Sequence, residues 1–312
     1  MKFSVVVPCY NEEDNVELFF STAVSELSSI IDDTEFIFVN DGSTDKTFER
    51  LKELCQNTKY CVKTINFSRN FGKEAGLLAG LTEANGEYVA IIDADLQQRP
   101  KYILDMYEIL CKNKEYDAVA AYQDIRKEGK ILTFFKDTFY GLINKMSEID
   151  LMRSASDFRL LKRCVVDAII SLPEKCRFSK GIFSWVGFNT FYMPYTVEER
   201  ASGTSKWSFW KLFSYAVDGI VAFSVKPLLM ASVAGIILFI LALIMMIYTI
   251  IKTVCFGEAV AGYPTIVSLI LLLSGVQLLC MGILGQYIAK NYTETKNRPV
   301  YVIKEKISSK EK

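Results

Sequence analysis

The stretch YVAIIDADLQ, residues 88–97, decides the fold. Its first five residues are apolar and largely β-branched, which predicts a buried strand over residues 88–92. Asp93, Asp95 and Gln97 follow at alternate positions, and side chains two apart in extended chain point to the same side. Their oxygens suit a hard divalent cation, Mg²⁺ or Mn²⁺. We therefore predict a strand that ends at a metal site, in preference to a simple acidic cap of the next helix.

Outward from this stretch, strand-like and helix-like segments alternate along the chain. Short β-branched runs predict strands, and longer runs with helical apolar spacing predict helices. The predicted strands are 3–7, 35–40, 62–67, 88–92 and 117–122, and the predicted helices are 14–30, 44–56, 73–84 and 102–112. Such alternation indicates βαβ units, so the predicted fold class is α/β with a mostly parallel, Rossmann-like sheet.

Polar clusters follow four of the predicted strands at the point where each strand ends. They are PCYNE at 8–12, NDGS at 40–43, SRN at 68–70 and DAD at 93–95. Ligands of open α/β sheets bind beyond the carboxyl ends of the strands, so the clusters predict one shared binding site. Within it, Asp41 is a candidate for a hydrogen bond to a base or ribose, whereas Asp45 suits a structural role at the start of the next helix.

The composition excludes several classes of function. The 312 residues include 36 Lys+Arg and 36 Asp+Glu, and this neutrality argues against a nucleic-acid partner. Because the chain has no histidine, a Ser-His-Asp triad, a Cys-His pair and an HExxH zinc site are excluded. The phosphate-loop motifs GxxxxGK[ST] and GxGxxG are also absent from the sequence. Any nucleotide phosphates would have to be balanced by a metal and by Lys or Arg.

Two long uncharged segments near the C-terminus predict a transmembrane hairpin. Residues 227–251 and 263–289 each exceed the roughly 20 residues that a helix needs to cross the hydrocarbon core. The loop between them, residues 252–262, is so short that the two helices must be antiparallel. A buried helical pair in a soluble core is the alternative, and the length of the segments disfavours it.

The charges that flank the hairpin predict its orientation. The tail, residues 290–312, has seven Lys/Arg and three Asp/Glu, whereas the hairpin loop has one Lys and one Glu. Basic residues stay cytoplasmic, so we expect both termini and the domain of residues 1–205 in the cytoplasm, at the inner membrane. Residues 206–226 mix aromatic residues with lysines and suit an amphipathic juxtamembrane helix. No signal peptide is recognised, and the eight cysteines are expected to be free thiols.

Six motifs, in order along the chain, carry a resemblance to a known family. They are VVVPCYNEEDN (5–15), VNDGSTDKT (39–47), SRNFGKEAGLLAG (68–80), DADLQQRP (93–100), SDFRLLKR (156–163) and ERASGTSKWS (199–208). With the two C-terminal spans, they resemble family 2 glycosyltransferases of the GT-A fold. Within that family the chain is similar to the polyprenyl-phosphate glycosyltransferases, which include bactoprenol glucosyl transferases and dolichol-phosphate mannose synthase.

The resemblance implies a role for each matching residue. The donor nucleotide would be held by Pro8, Tyr10, Glu12, Asp41, Lys73 and Asp93. A divalent metal that bridges the diphosphate would be held by Asp93, Asp95 and Gln97. The catalytic residues, beside the transferred sugar and the donor and acceptor phosphates, would be Asp157, Arg159, Arg200 and Lys206. The candidates for binding the acceptor phosphate are Arg126, Lys136 and Lys145.

The reaction that the resemblance implies is transfer of a hexose from a nucleotide-sugar donor to polyprenyl (undecaprenyl) phosphate, for modification of cell-envelope glycans. This transfer would depend on the metal and invert the anomeric centre. UDP-glucose is the expected donor, and UDP-N-acetylglucosamine, UDP-galactose, a modified arabinose and GDP-mannose stay open. The family often forms tetramers, so a homo-oligomer is compatible with the resemblance.

Three other functions compete with this interpretation. A processive polysaccharide synthase would carry a QxxRW motif, and no tryptophan of this chain follows an arginine. A haloacid-dehalogenase-type phosphatase also places Asp-x-Asp after a strand, but there the motif usually opens the domain. A sugar-nucleotide-binding regulator without catalysis is disfavoured because the sequence retains Asp93, Asp95, Gln97, Asp157 and Arg200.

Overall fold

Parallel strands form the centre of an eight-stranded sheet in the computed structural model, which describes residues 1–123, 152, 155–196, 221–256 and 262–309. The strands are β1 (Phe3–Cys9), β2 (Thr34–Asn40), β3 (Cys61–Phe67), β4 (Tyr88–Ile91), β5 (Ala118–Gln123), β6 (Ala155–Lys162), β7 (Thr190–Tyr195) and β8 (Ile303–Ser308). Their order across the sheet is β7-β5-β6-β4-β1-β2-β3-β8.

Helices connect these strands and extend beyond them. Within the described ranges they are α1 (Val16–Glu26), α2 (Thr47–Asn57), α3 (Lys73–Glu83), α4 (Tyr102–Lys112), α5 (Arg163–Ser171), α6 (Ser179–Trp185), α7 (Lys226–Phe256) and α8 (Tyr263–Thr295). A short 3₁₀ helix, Ile31–Asp33, precedes β2. The first four α-helices coincide closely with the four that the sequence predicts.

The sheet is mixed, and its parallel part carries the predicted βαβ units. β1 pairs in parallel with β2 and with β4, and β2 pairs in parallel with β3. β6 inserts antiparallel between β4 and β5, and β8 pairs antiparallel with β3 at the sheet edge. The predicted α/β class is therefore confirmed, but the sequence analysis did not predict β6, β7 or β8.

Helices cover both faces of the sheet and create two apolar layers. On one face α1, α2 and α4 pack on the sheet around the buried rings of Phe19, Phe36 and Phe38. On the other face α3, α5 and α6 pack around Ile65 and Leu77. Complete burial of one such side chain contributes about 1.5–3 kcal/mol of transfer free energy. β1 and β2 are covered on both faces, which explains why their sequences are almost continuously apolar.

The two C-terminal helices, α7 and α8, form an antiparallel pair with exposed apolar surfaces. The Cys280 thiol contacts the Ala231 carbonyl at 3.9 Å, and the Tyr287 hydroxyl donates to the Ser224 carbonyl at 2.5 Å. Within the described residues, two segments are long and apolar enough to cross a membrane by length and composition, Lys226–Met245 and Leu272–Thr295. Of the predicted juxtamembrane helix, residues 206–220 lie outside the described residues.

The chain continues from α8 back to the sheet. Residues 290–312 were predicted as a basic tail, but α8 extends to Thr295 and residues 303–308 form β8. Just before β8, the ring of Tyr301 stacks on Phe67 at 5.0 Å between centroids. The Ser309 hydroxyl accepts a hydrogen bond from the Val62 amide at 3.0 Å. This segment therefore closes the edge of the sheet that β3 would otherwise expose.

Candidate active site

The loops that follow β1 and β2 are joined by hydrogen bonds at the carboxyl edge of the sheet. Asn11 has a left-handed backbone with φ of 54°, a conformation that asparagine tolerates better than most residues. Its amide donates to the Ser43 hydroxyl at 2.9 Å, and its side-chain oxygen accepts from the Thr44 amide at 2.9 Å. Ser43 in turn donates to the Asn40 side chain at 2.5 Å. These contacts fix the first two polar clusters against each other.

Asp41 supports the loop that follows β3. Its two carboxylate oxygens accept from the Phe71 amide at 2.6 Å and from the Gly72 amide at 2.9 Å. Only 4% of Asp41 is exposed, and this burial raises its pKa despite the two amides and the nearby Arg69. The structure thus places Asp41 underneath the loop, with both oxygens already accepting hydrogen bonds, instead of at the open surface.

Gly42 lets the loops after β2 and β3 approach closely. Its φ of +60° lies in the left-handed region that glycine favours. A Cβ at this position would lie 2.2 Å from the Arg69 carbonyl carbon and 2.5 Å from the Asn70 nitrogen. No side chain fits there, so glycine permits the contact between these two walls of the site.

An ion cluster lies at the ends of β4 and β6. The Lys73 ammonium, at the start of α3, lies 2.8 Å from Asp93 Oδ1 and 2.9 Å from Asp157 Oδ2. The antiparallel register of these strands pairs Ile91 with Arg159. Continued by two residues, this register brings Asp157 beside Asp93. One lysine thus joins two carboxylates that are distant in sequence.

The charges of this cluster support one another. Burial alone would raise the pKa of Asp157, but Lys73, Lys180 and Arg159 outweigh it and lower the pKa below its usual range. Burial alone would lower the pKa of Lys73, but Asp157 and Asp93 raise it above its usual range. The Lys73 side chain remains 42% exposed, so water screens these ion pairs in part. All the same, both shifts favour the ionised forms at neutral pH.

The DADLQ turn leaves its oxygen-bearing side chains partly exposed. Asp93, Asp95 and Gln97 are partly exposed, and they alternate with the buried residues Ala94, Leu96 and Gln98. That the three side chains share one side stays a prediction, since the segment is a turn in which Leu96 has a positive φ of 57°. Carboxylate and amide oxygens fit a hard divalent cation. Within the described ranges, no group of three or more Asp, Glu, Cys or His could form such a site unaided. Gln97, water and the ligand's own phosphates would complete the coordination.

The buried side chain of Gln98 connects this turn to the start of β6. Its side-chain oxygen accepts from the Asp93 amide at 3.4 Å, and its side-chain nitrogen donates to the Ser156 hydroxyl at 2.9 Å. Gln98 is only 6% exposed, so it acts as an internal bridge between the turn and the start of β6. The bridge holds Asp93 near Asp157 without touching the open side of the site.

Arg159 is a buried cation beside the ion cluster. Only 5% of it is exposed, and its guanidinium lies 4.1 Å from the centroid of the Phe183 ring. Burial lowers the pKa of Arg159, and the charge of Asp157 opposes this effect. Its Nε has no hydrogen-bond partner within the described part of the chain. An anion or a sugar hydroxyl would supply the missing acceptor.

Two family models match this chain and show the family to which it belongs. Residues 4–169 match the family model described as Glycosyl transferase family 2, and residues 226–290 match the model described as GtrB C-terminal hairpin. The chain belongs to glycosyl transferase family 2. This result confirms the predicted family resemblance and identifies the chain as a glycosyltransferase.

Relatives of this glycosyltransferase match it over nearly its whole length. A Bacillus subtilis (strain 168) protein named as glycosyltransferase CsbB is 44% identical over 97% of this chain and 91% of its own. The prophage bactoprenol glucosyl transferase homolog of Escherichia coli (strain K12) is 39% identical over 97% and 99%. The bactoprenol glucosyl transferase of Shigella phage SfII is 39% identical over 97% and 98%.

A solved structure shares the fold of this glycosyltransferase. Glucosyl-3-phosphoglycerate synthase from Mycobacterium tuberculosis, crystallised with Mg²⁺ and uridine diphosphate, superimposes with a TM-score of 0.50 at 18% identity. The match covers 70% of this chain and 77% of that one. Together with the family match, this likeness confirms the predicted GT-A fold class.

The remaining predicted residues of this glycosyltransferase lie at the rim of the site or outside the described residues. Tyr10 is 39% exposed, and the Glu12 amide donates to the Thr47 hydroxyl at 2.8 Å. Pro8 lies near Gly76 on α3, where a Cβ built on the glycine would be 3.6 Å from that of the proline. Five predicted residues lie outside the described residues: Arg126, Lys136, Lys145, Arg200 and Lys206.

Two charged residues beside the cluster, Glu74 and Lys180, were not among the predicted ones. Glu74 follows Lys73 and accepts a hydrogen bond from the Ser179 amide at 2.8 Å. Lys180, on α6, is among the charges that lower the pKa of Asp157. Glu74 stands in one of the quoted motifs and could have been singled out there. Lys180 has no comparable signal, because α6 reaches the site only through tertiary packing.

Proposed function

We propose that this glycosyltransferase transfers a hexose, glucose from UDP-glucose, to polyprenyl phosphate with inversion at the anomeric carbon. The observation that carries the proposal is the Lys73–Asp93–Asp157 cluster at the carboxyl edge of the sheet, in a chain that continues into the apolar α7–α8 pair. Relatives named bactoprenol glucosyl transferase support glucose as the sugar and a polyprenyl carrier as the acceptor.

On the donor side, we assign the nucleotide to the rim residues Pro8, Tyr10 and Glu12, with Asp41 holding the adjoining loop. A divalent cation bound by Asp93, Asp95 and Gln97 would neutralise the diphosphate leaving group. Lys73 already lies against Asp93 and Asp157. Its ammonium is therefore placed to hydrogen-bond a donor phosphate once the donor enters the cleft.

On the acceptor side, the chemistry needs little help from a base. A phosphate monoester has its second pKa near about 6, so the acceptor oxygen is already an anion at neutral pH. Asp157 is held in its ionised form, which suits it to orient Lys73 and Arg159. The buried Arg159 offers an unpaired Nε toward an anion or hydroxyl. Further cations assigned to the donor and acceptor phosphates are Arg126, Lys136, Lys145, Arg200 and Lys206.

The membrane arrangement follows from the acceptor. A polyprenyl phosphate places its head at the membrane surface, so the site must be held there. We assign residues 1–205 to the catalytic domain, 206–226 to a juxtamembrane region and 227–289 to two crossings, with both termini in the cytoplasm. The pairing of β8 with β3 supports this assignment, because it places residues 303–308 on the same side as the domain.

A transfer assay tests the proposal. Purified protein in detergent receives undecaprenyl phosphate, Mg²⁺ or Mn²⁺, and one radiolabelled nucleotide sugar at a time. We expect label in the lipid with UDP-glucose, and none after the metal is chelated. Label in the lipid from another nucleotide sugar would correct the donor, and a growing polymer in place of a lipid product would favour a processive synthase. The anomeric configuration of the product tests inversion. The size of the purified protein in detergent tests whether it is a homotetramer.

Asp93→Asn tests the metal assignment within this assay. Loss of one carboxylate charge at the diphosphate should lower turnover by about 100-fold or more. Asp105→Asn is the matched control, since Asp105 lies in the exposed first turn of α4, away from the cluster. Turnover of Asp93→Asn at the level of this control would refute the role of Asp93.

A further inference from the structure

Helix α6 lies between the α7–α8 pair and the ion cluster. On its α8 side, the carboxylate of Glu294 accepts two backbone amides of the segment that leads into α6. Its Oε1 lies 2.9 Å from the Lys175 nitrogen and 2.7 Å from the Cys176 nitrogen. The last turn of α8 therefore holds the start of this segment through a charged acceptor.

The α7 side of the pair contacts α6 as well. Gly181 faces the ring of Phe223, and a Cβ built on the glycine would lie 2.3 Å from the ring. Phe223 is three residues before α7, and the next residue, Ser224, accepts the hydrogen bond of Tyr287 from α8. Both helices of the pair are thus in contact with α6 or with the segment just before it, α8 through Glu294 and α7 through Phe223, which precedes it.

On its other side, α6 reaches the catalytic site through two contacts and one nearby charge. Ser179 donates from its amide to Glu74, the neighbour of Lys73, at 2.8 Å. The Phe183 ring packs against the guanidinium of Arg159. The charge of Lys180 helps to lower the pKa of Asp157. A shift of α6 would therefore disturb the surroundings of Lys73, Asp157 and Arg159 together.

The position of Glu294 gains nothing from the dipole of its own helix. It is the penultimate residue of α8, and a negative charge in the last turn of a helix is disfavoured by the helix dipole. Its side chain instead points to two amides of another segment. The carboxylate thus serves the contact with the catalytic domain.

We propose that Glu294 is a positioning residue, which holds α6 so that the site around Lys73, Asp157 and Arg159 is assembled only while the α7–α8 pair is docked on the domain. The inference rests on the proposed function, since it supposes that the pair presents the lipid acceptor. It also gives the pair a role in turnover beyond attachment to the membrane. Binding of the donor's nucleoside, assigned to the loops after β1 and β2, should depend on Glu294 less than turnover does.

Three variants test this proposal in the transfer assay: Glu294→Ala, Glu294→Gln and the control Glu305→Gln. Glu305 is a partly exposed carboxylate of β8 that pairs with Lys52. A small displacement of catalytic groups costs about 10- to 100-fold, so Glu294→Ala should lower kcat by that factor. The KM for the donor should rise by a smaller factor than kcat falls, because the nucleoside is assigned to loops before Lys73. Glu294→Gln keeps an oxygen for both amides and should recover most of the loss, and Glu305→Gln should match the wild type.

Hydrogen–deuterium exchange gives a readout that does not depend on activity. Glu294→Ala should speed exchange at residues 175–185 and leave the strands β1 to β4 unchanged, which also shows that the variant is folded. Unchanged exchange at residues 175–185, or a kcat equal to that of Glu305→Gln, would overturn the proposal. If the wild type transfers no sugar to lipid but exchange at α6 responds, the proposed function fails and the contact role of Glu294 stands.

Discussion

At the scale of single residues, the one charge of Lys73 forms ion pairs with two carboxylates. The ammonium lies within 3.0 Å of both oxygens of Asp93 and at 2.9 Å from Asp157. Because these side chains are partly exposed, the ion pairs add little to the stability of the fold. These ion pairs instead position the site, since they keep the carboxylates of Asp93 and Asp157 close together before substrate binds.

Lys73→Met tests whether this lysine and a metal compete for Asp93. Removing the ammonium leaves the Asp93 oxygens free for a cation. The Kd for Mn²⁺ alone should therefore fall about tenfold, which corresponds to about 1.4 kcal/mol of binding free energy. Sugar transfer should nevertheless fall, because the donor phosphates lose a cation. Titration calorimetry with Mn²⁺ in the absence of nucleotide measures the first effect. Lys114→Met, on an exposed turn, is the control, and equal Mn²⁺ affinity in both variants would contradict the competition.

Part of the site could be predicted from the sequence because its signals are local. The alternation of Asp93, Asp95 and Gln97 and the turn at Asp41 can be recognised within a few residues. The contact between Lys73 and Asp157 could not be predicted from spacing, because it depends on the insertion of β6 between β4 and β5. The support that Asp41 gives to the loop after β3 could not be predicted either, because it depends on amides some 30 residues away.

At the scale of elements, the site is built from loops that pack on one another. Asp41 and Gly42, both after β2, determine the path of the loop after β3. At the start of the same loop, the Ser68 amide donates a hydrogen bond to the Val302 carbonyl at 3.0 Å. The donor side of the cleft therefore depends on segments from the beginning and the end of the chain.

Gly42→Ala and Gly72→Ala separate two causes of destabilisation in these loops. Both glycines have positive φ, which costs other residues about 1–3 kcal/mol. A Cβ on Gly72 has no neighbour within 4 Å, whereas one on Gly42 collides with Arg69. Gly42→Ala should therefore lower the thermal unfolding midpoint more than Gly72→Ala, and it should also raise the KM for the donor. Equal midpoints would show that the loop adapts to the extra methyl group.

Strands with an uninterrupted apolar pattern could be predicted, and strands whose pairing is remote could not. β1 and β2 are recognisable because both faces are covered, and β3 is recognisable by its β-branched residues although Lys63 is only partly buried. Turn residues follow all three strands. β6 contains the charges of Asp157 and Arg159, and β7 contains Pro194, so neither resembles a buried strand. β8 is short and half exposed, and its partner β3 lies more than 200 residues earlier.

At the scale of the whole molecule, α7 and α8 present apolar surface outward along most of their length. Phe239, Leu278 and Leu279 are each about two-thirds exposed, and many of their neighbours are also apolar and exposed. An apolar surface of this extent calls for a hydrocarbon environment. The sequence predicted these two helices because length and lack of charge are sufficient signals.

Native cysteines test the proposed orientation. Cys255 is exposed near the far end of α7, whereas Cys111 and Cys164 are exposed on the catalytic domain. A membrane-impermeant maleimide should label Cys255 in intact cells, and Cys111 and Cys164 only after the membrane is opened. Mass spectrometry of the labelled peptides gives the result, and Cys255→Ser serves as the control. Labelling of Cys111 in intact cells would reverse the orientation.

The edge strand β8 has a consequence for the order in which this protein is made. The ribosome adds residues 303–308 only after it has added both apolar helices. Until then the backbone of β3 is an unpaired sheet edge, and such edges invite pairing with other chains. The sheet that is begun first is therefore completed only after both apolar helices have been synthesised. Completion of the catalytic domain in this way depends on the chain that follows α8.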